Sequence, residues 1–266
     1  ADGNRIRSIP VQATRGVMYD RNGVILAGSR PAYSVIMPVD RKGNTLSDDE
    51  LQKLSVLLKM PVADLKKKIE DNKRAFGAIY LANDVGVDVA TQIEEKKDDF
   101  PGIQIEVNPL RVYPLGAAGA QVLGYVGEAG PDDKDADGNP YTTATLIGRA
   151  GIERKYNQYL EGKNGSKTIE VNASGQPVGY VGGTPAVSGN NIRLTLDANL
   201  QKAAEDAIDS QVKILAKSGI YATGASAVAI DPNSGAVLAM VSEPSYDPNR
   251  FSKGISTADW NQIINN

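Results

Sequence analysis

Apolar residues along this chain follow two rhythms, one near a period of 3.6 and one of period 2, and each change of rhythm marks a new element. Leu51, Leu54, Leu57 and Leu58 stand at helical spacing directly behind Ser47-Asp-Asp-Glu50. Serine followed three residues later by glutamate is a capping box, in which each side chain satisfies a main-chain N–H of the first turn. A capped helix is therefore predicted there. Val62, Leu65 and Ile69 place a second helix over residues 62–70, and a third is predicted over 88–97. The small-residue run 116–123 also reads as helical. So does 148–160, with Ile152, Tyr156 and Tyr159 or Leu160 facing inward and Gly162 ending it. Strands at 17–19 and 24–26 flank Asp20-Arg-Asn-Gly23, a hairpin turn signal. Further strands are predicted at 33–37, 100–107, 167–171 and 177–181.

The last third is punctuated differently. Residues 182–191, rich in Gly, Pro, Ser and Asn, read as a linker. Ile192, Leu194 and Leu196 then alternate as a strand. Asp197 is a good N-cap for a long helix over 198–217, with Leu200, Ala204, Ala207, Ile208 and Leu215 as its buried stripe. Two apolar runs follow, 225–230 and 236–241, joined by Asp231-Pro-Asn-Ser-Gly235. Proline fixes φ in that turn and glycine accepts a positive one. Nearly every position of both runs is apolar, the pattern of a ribbon built to be covered on both faces inside a larger sheet. With the later strands absent from this chain, its edges and one face are expected to be left uncovered. The pattern gives an α+β chain in two parts, 1–185 and 186–266.

Composition narrows the chemistry. The chain has 266 residues, 41% of them hydrophobic, enough for two domains with real cores. Neither histidine nor cysteine occurs, which excludes Ser-His-Asp and Cys-His catalysis, disulfides, and thiolate or imidazole metal sites. The net charge of −3, with signs mixed, gives no nucleic-acid footprint. Lys66-Lys-Lys68 and Lys96-Lys97 are flanked by acids and read as solvated helix faces. No apolar run approaches the roughly 20 residues of a membrane span, and no leader is visible.

Several phrases carry more than periodicity. Arg15-Gly-Val-Met-Tyr-Asp-Arg-Asn-Gly-Val-Ile-Leu-Ala27 is, by itself, only a hairpin. Arg111-Val-Tyr-Pro-Leu-Gly116 is followed by Gly124-Tyr-Val-Gly127. Gly148-Arg-Ala-Gly-Ile-Glu-Arg-Lys-Tyr156 leads to Leu160-Glu-Gly162 and Gly165. Leu194-Thr-Leu-Asp197 precedes Leu200-Gln201, and the ribbon ends in Ser245-Tyr-Asp-Pro-Asn249. In this order, the five phrases resemble those of class B penicillin-binding proteins, and Asn4-Arg-Ile-Arg7 resembles the elongation, or rod-shape, branch. The resemblance implies an elongated pedestal, or dimerisation, domain, then the first strand, helix and hairpin of a transpeptidase domain. Arg15, Gly16, Asp20, Arg21, Gly23, Arg111, Gly151, Glu153 and Tyr156 would be structural motif residues of the pedestal. It also implies an extracytoplasmic protein, anchored by an N-terminal helix absent from this chain. Its parent would cross-link peptidoglycan through an acyl-serine and be inhibited by β-lactams. A membrane glycosyltransferase of the shape/elongation/division family would be its partner, and a homodimer is possible.

The family's chemistry uses Ser-x-x-Lys, Ser-x-Asn and Lys-(Ser/Thr)-Gly. Ser210-Gln-Val-Lys213, Ser188-Gly-Asn190 and Lys217-Ser-Gly219 spell all three here. Their order is inverted, their spacing is too short, and the first falls within a helix that the third ends. No catalytic residue, cofactor or metal site is therefore expected in this chain, and β-lactams would bind only through the absent catalytic region. Asp133-Lys-Asp-Ala-Asp-Gly138 spells half of a calcium loop, but the twelfth position is Ala144 where a bidentate glutamate is needed. It reads as a solvated acidic loop. The rival readings are a natural non-catalytic extracytoplasmic scaffold and a calcium-binding module. Trp260 is expected to be a packing residue.

Overall fold

One long strand organises the larger, N-terminal part of the chain. In the computed structural model, which describes residues 6–38, 46–72, 78–130, 132–135, 138–141, 145–171, 177–255 and 260, that strand is β3 (Ile25–Pro38). It is preceded by β1 (Ile6–Val11) and β2 (Met18–Tyr19). After it come α1 (Asp48–Leu58), α2 (Val62–Asp71), β4 (Ala78–Val85), α3 (Val87–Glu95), a 3-10 turn over Lys97–Asp99, and β5 (Gln104–Val112). Then follow α4 (Ala120–Leu123), β6 (Val126–Glu128), β7 (Leu146–Gly148), α5 (Gly151–Lys155), α6 (Asn157–Leu160), β8 (Gly165–Val171), β9 (Pro177–Thr184) and β10 (Ile192–Arg193). The remainder is α7 (Ala198–Lys217), β11 (Ala225–Ile230), β12 (Val237–Glu243) and α8 (Asn249–Ser252). This is the expected α+β fold.

β3 pairs antiparallel with β2 at its start, with β5 along Gly28–Ile36, and with β4 from Tyr33 to Pro38. It thereby serves two cores. At its far end, Val35 and Met37 pack with Leu51 and Leu54 of α1, Leu65 of α2, Ile79 and Leu81 of β4, Ile93 of α3, and Phe100 and Ile103. At its near end, Leu26 and Ala27 pack with Met18, Tyr113, Leu123, Leu160, Leu196 and Ala198. The capping box forms as predicted: Ser47 Oγ accepts from Glu50 N, and Glu50 Oε2 accepts from Ser47 N at 2.6 Å. A separate sheet of order β1-β8-β9 and the two-stranded β6–β7 complete this part.

Several expectations need correction. β4 is absent from the periodicity reading, because Ala78-Ile-Tyr-Leu-Ala-Asn-Asp-Val85 lacks strict alternation and carries four weak strand formers, Ala78, Ala82, Asn83 and Asp84. Residues 148–160 form two short helices, broken at Tyr156, instead of one. The inward residues there are Glu153 and Leu160, both fully buried, while Tyr156 is 42% and Tyr159 63% exposed. Helix α4 spans only four residues, because Gly116 and Gly119 adopt positive φ before it. Residues 187–190 are pinned, not loose: Val187 and Lys163 exchange two hydrogen bonds, and Gly189 N donates to Thr14 O and Asn190 N to Tyr159 O. Asp197 caps α7 as expected, accepting from Asn199 N and Leu200 N. Its buried face is turned, however: Ala198 and Gln201 are buried while Leu200 and Ala207 are exposed. The ribbon, by contrast, is as expected: Ala239 and Val241 are buried, while the cross-strand pair Val228 and Met240 stays open, so one face is left uncovered.

Candidate functional site

Three of the sequence phrases converge on one buried carboxylate. Arg15 lies in the loop after β1, Arg111 near the end of β5, and Glu153 in α5, with side chains 7%, 2% and 0% exposed. Arg15 Nε donates to Glu153 Oε2 at 2.6 Å, and Arg111 Nε donates to Oε1 at 2.7 Å. Tyr113 Oη donates to the same Oε1 at 3.1 Å. Two further bonds lock main chain to the cluster: Arg15 Nη2 to Glu153 O and Arg111 Nη1 to Gly16 O. Burial, reinforced by the Glu153 carboxylate, pushes the Tyr113 hydroxyl well above its ordinary pKa, so it remains a donor. Gly16 is required sterically, since a Cβ there would sit 1.9 Å from Asn190 O. Gly151 opens α5 at φ +56°, and a Cβ would meet Val122 O at 2.5 Å.

A second group of contacts joins these segments to the residues after β10. Asp20 is fully buried. Its Oδ1 accepts from Asn22 N and Val24 N, closing the hairpin turn in which Gly23 has φ +89°. Its Oδ2 accepts from Ala198 N, the first N–H of α7. Burial alone would raise its pKa, but the hydrogen bonds from Ala198, Val24 and Asn22 outweigh it and hold the carboxyl below its usual range. Arg21 N donates to Leu196 O, while its side chain is exposed. Asn249 uses its amide both ways, accepting from Tyr113 N and donating to Tyr113 O, each at 2.9 Å. Gln201 does the same for Met240, donating to its O at 2.9 Å and accepting from its N at 2.8 Å. Burial pushes the Tyr246 hydroxyl up to about 12, and that hydroxyl donates to Ala120 O. Tyr125 stacks on Phe251 at 4.0 Å, and Trp260 meets Phe251 edge-on at 6.1 Å.

The Penicillin-binding Protein dimerisation domain model matches residues 10–194. The chain belongs to the penicillin-binding proteins. The family's transpeptidase domain model matches residues 225–266, so the chain carries the dimerisation domain and part of the transpeptidase domain. It is 35% identical over 270 residues to the peptidoglycan D,D-transpeptidase MrdA of Escherichia coli, covering 98% of this chain and 40% of that protein. Against MrdA of Acinetobacter baumannii the identity is 32%, over all of this chain and 38% of the relative. The solved complex between penicillin-binding protein PBP2 and MreC from Helicobacter pylori superposes with a TM-score of 0.72 at 26% identity, covering 98% of this chain and 47% of that one. The chain thus spans about 40% of the length of the curated relatives it matches.

Of the motif residues, this penicillin-binding protein brings Arg15, Gly16, Arg111 and Glu153 together, while Gly151 lies against the main chain of residues 122–124. Asp20, Arg21 and Gly23 form the hairpin joint, and Tyr156 stands apart from both. Tyr113, Gln201 and Asn249 lie in the same phrases but were not singled out. The only signal they offered was a polar or amphipathic side chain within a run that must pack. The spelled catalytic triplets are scattered. Ser210 is exposed on α7, Lys213 pairs with Asp209, and Ser218 Oγ donates to Ile214 O at the helix end. In the acidic loop, Asp133 pairs with Arg149 and accepts from Gly130 N, and positions 136, 137 and 144 lie outside the described residues. Among the described residues, no group of three potential metal-ligating side chains occurs, and no helix is long and apolar enough to cross a membrane.

Proposed function

We propose that this chain is the pedestal and opening segment of an elongation-type peptidoglycan D,D-transpeptidase, and that it positions the catalytic domain without itself carrying catalysis. The observation that carries this reading is the two-way hydrogen bonding of Asn249 to Tyr113, seconded by Asp20 on the first N–H of α7. Side-chain amides that replace a β-ladder partner fix orientation as well as proximity. Residues 1–185 would form the pedestal and 186–266 the start of the transpeptidase domain. The protein would work at the outer face of the cell membrane, anchored by a preceding helix. Its pedestal would receive a membrane glycosyltransferase and a further protein partner; PBP2 of Helicobacter pylori forms a complex with MreC.

Arg15, Gly16, Asp20, Gly23, Arg111, Gly151 and Glu153 would serve orientation only. Ser210 is a helix-surface hydroxyl whose neighbouring lysine is engaged by Asp209, an arrangement that does not activate a nucleophile. The chain is therefore expected to remain unmodified when incubated with a fluorescent penicillin, as read by intact mass. The longer protein that contains it should acylate once. A stoichiometric adduct on the 266-residue chain, at Ser210 above all, would overturn the assignment.

A further inference from the structure

The antiparallel sheet β1-β8-β9 takes no part in either apolar core, and its two faces differ. Its register sets Val11 opposite Gly165, Lys167 opposite Gly183, and Ile169 opposite Tyr180. Alternate residues of a strand share a face, so Val11, Lys167, Ile169 and Tyr180 lie on one side. The Lys163–Val187 bridge continues the β8–β9 register and adds both residues to that side. Val11 is 40%, Val187 59% and Tyr180 67% exposed, and both lysines are exposed. The other side carries Ser8, Ser166, Thr168, Thr184 and Glu170, with Ile6 at one end. There the Ser166 and Thr184 hydroxyls meet at 2.9 Å.

A row of exposed apolar side chains marks a contact surface, and the charges set among them decide its chemistry. Lys163 and Lys167 pair with no carboxylate among the described residues. Lys167 Nζ instead stands 5.8 Å from the centre of the Tyr180 ring. Of the acids that flank them in sequence, Glu161 is engaged by Tyr141 and Asn157, and Glu170 projects from the other face. Lysine stems lie along apolar material while their ammonium groups reach phosphate, and tyrosine settles at the level of lipid head groups. We propose that the face bearing Val11, Lys163, Lys167, Tyr180 and Val187 rests on an anionic phospholipid surface. This contact depends on the anchored pedestal proposed above, since a helix before β1 would leave the bilayer beside this sheet. Pairing with β1 is what brings β8, and through it β9, to that place.

Flotation of the 266-residue chain with phosphatidylcholine vesicles, with and without phosphatidylglycerol, tests this. No helix of the described residues is long and apolar enough to cross the bilayer, so flotation reads surface binding. The chain should float with the phosphatidylglycerol vesicles, less so as salt rises, and hardly at all with phosphatidylcholine alone. Lys163→Gln combined with Lys167→Gln should weaken binding about thirtyfold, at roughly fivefold per charge. Tyr180→Ser should weaken it as well, through the lost ring. Both lysines are exposed, and Lys163 meets Val187 through main chain only, so the double variant should keep its Tm. Lys67→Gln combined with Lys217→Gln, exposed on α2 and α7, should leave binding unchanged. No flotation with phosphatidylglycerol overturns the proposal and leaves the face to a protein. Equal flotation with neutral vesicles, or equal loss in the two double variants, overturns it too. The pedestal reading survives each of these failures, because acylation of the longer protein judges it separately.

Discussion

The lobe around Leu54 and the joint around Glu153 are both sealed from water, yet opposite chemistry holds them. In the lobe, ten buried residues are all apolar and come from β3, β4, three helices and the turn before β5. Dispersion and burial have no direction, so such a core fixes volume more strongly than orientation. In the joint, one carboxylate, two guanidiniums and a phenol are buried together. Each bond there specifies an angle as well as a distance, and every member depends on the others. The lobe suits a body that must merely be solid, and the joint suits a place where segments 138 residues apart must meet in one geometry.

The largest expected effect comes from attacking the joint with a shape-preserving change. Glu153→Gln leaves two buried guanidiniums facing a neutral amide and should cost about 3–5 kcal/mol, whereas Leu54→Met in the lobe should cost under about 1.5 kcal/mol. Urea unfolding of both variants decides. If the glutamine variant is the less destabilised, the contrast between directional and volume-filling cores collapses. Asn249→Ala comes next, at roughly 2 kcal/mol, because it strands the main chain of Tyr113. Hydrogen exchange should show lost protection near residue 113 and over α8 while the Leu54 lobe is unaffected. Uniform loss across both would break the distinction.

Acid should separate the regions further. Asp20 has its folded pKa held below the usual carboxylate value, so its contribution is present above about pH 4. That contribution disappears as pH falls through the lower, folded pKa. Asp84, depressed against burial by Lys253 and Arg30, behaves likewise. Stability should therefore fall between about pH 4 and pH 2, and Asp20→Asn should flatten that slope while the far lobe keeps its exchange protection longest. A slope unchanged by the substitution would place the acid sensitivity elsewhere. The smallest effect on folding is expected on the open ribbon face, where Val228 is 55% exposed. Val228→Ser should change stability by no more than about 0.5 kcal/mol and reduce self-association in sedimentation, since exposed apolar strands seek cover. Unchanged association would mean that this face is not the sticky one.

The capped helix at Ser47, the Asp20 turn and the Asp197 cap were legible because each is a local arrangement read within four residues. The joint was visible only as separate phrases. Periodicity even pointed Tyr156 inward in place of Glu153, since a helical stripe is scored by apolar residues and a buried glutamate looks like surface. No local pattern could have paired Glu153 with Arg15 across 138 residues. Gln201 likewise interrupts an apolar reading of α7, and its burial follows from an unpaired strand edge at Met240 that exists only once the ribbon has folded. The open face of the ribbon at Val228 and Met240 was legible for a related reason. Composition reports what a strand tolerates, and the cover itself must come from other residues.

β3 has a mechanical consequence. Fourteen extended residues span about 46 Å, and one continuous backbone carries Leu26 and Ala27 into one core and Val35 and Met37 into the other. A strand hydrogen-bonded to neighbours along its length is stiff in tension and soft only in twist. A pull along β3 applied at α1–α3 therefore reaches the hairpin at Asp20, and from there the first turn of α7. Whatever grips the distal lobe holds the long arm of a lever whose short arm ends at the first turn of α7.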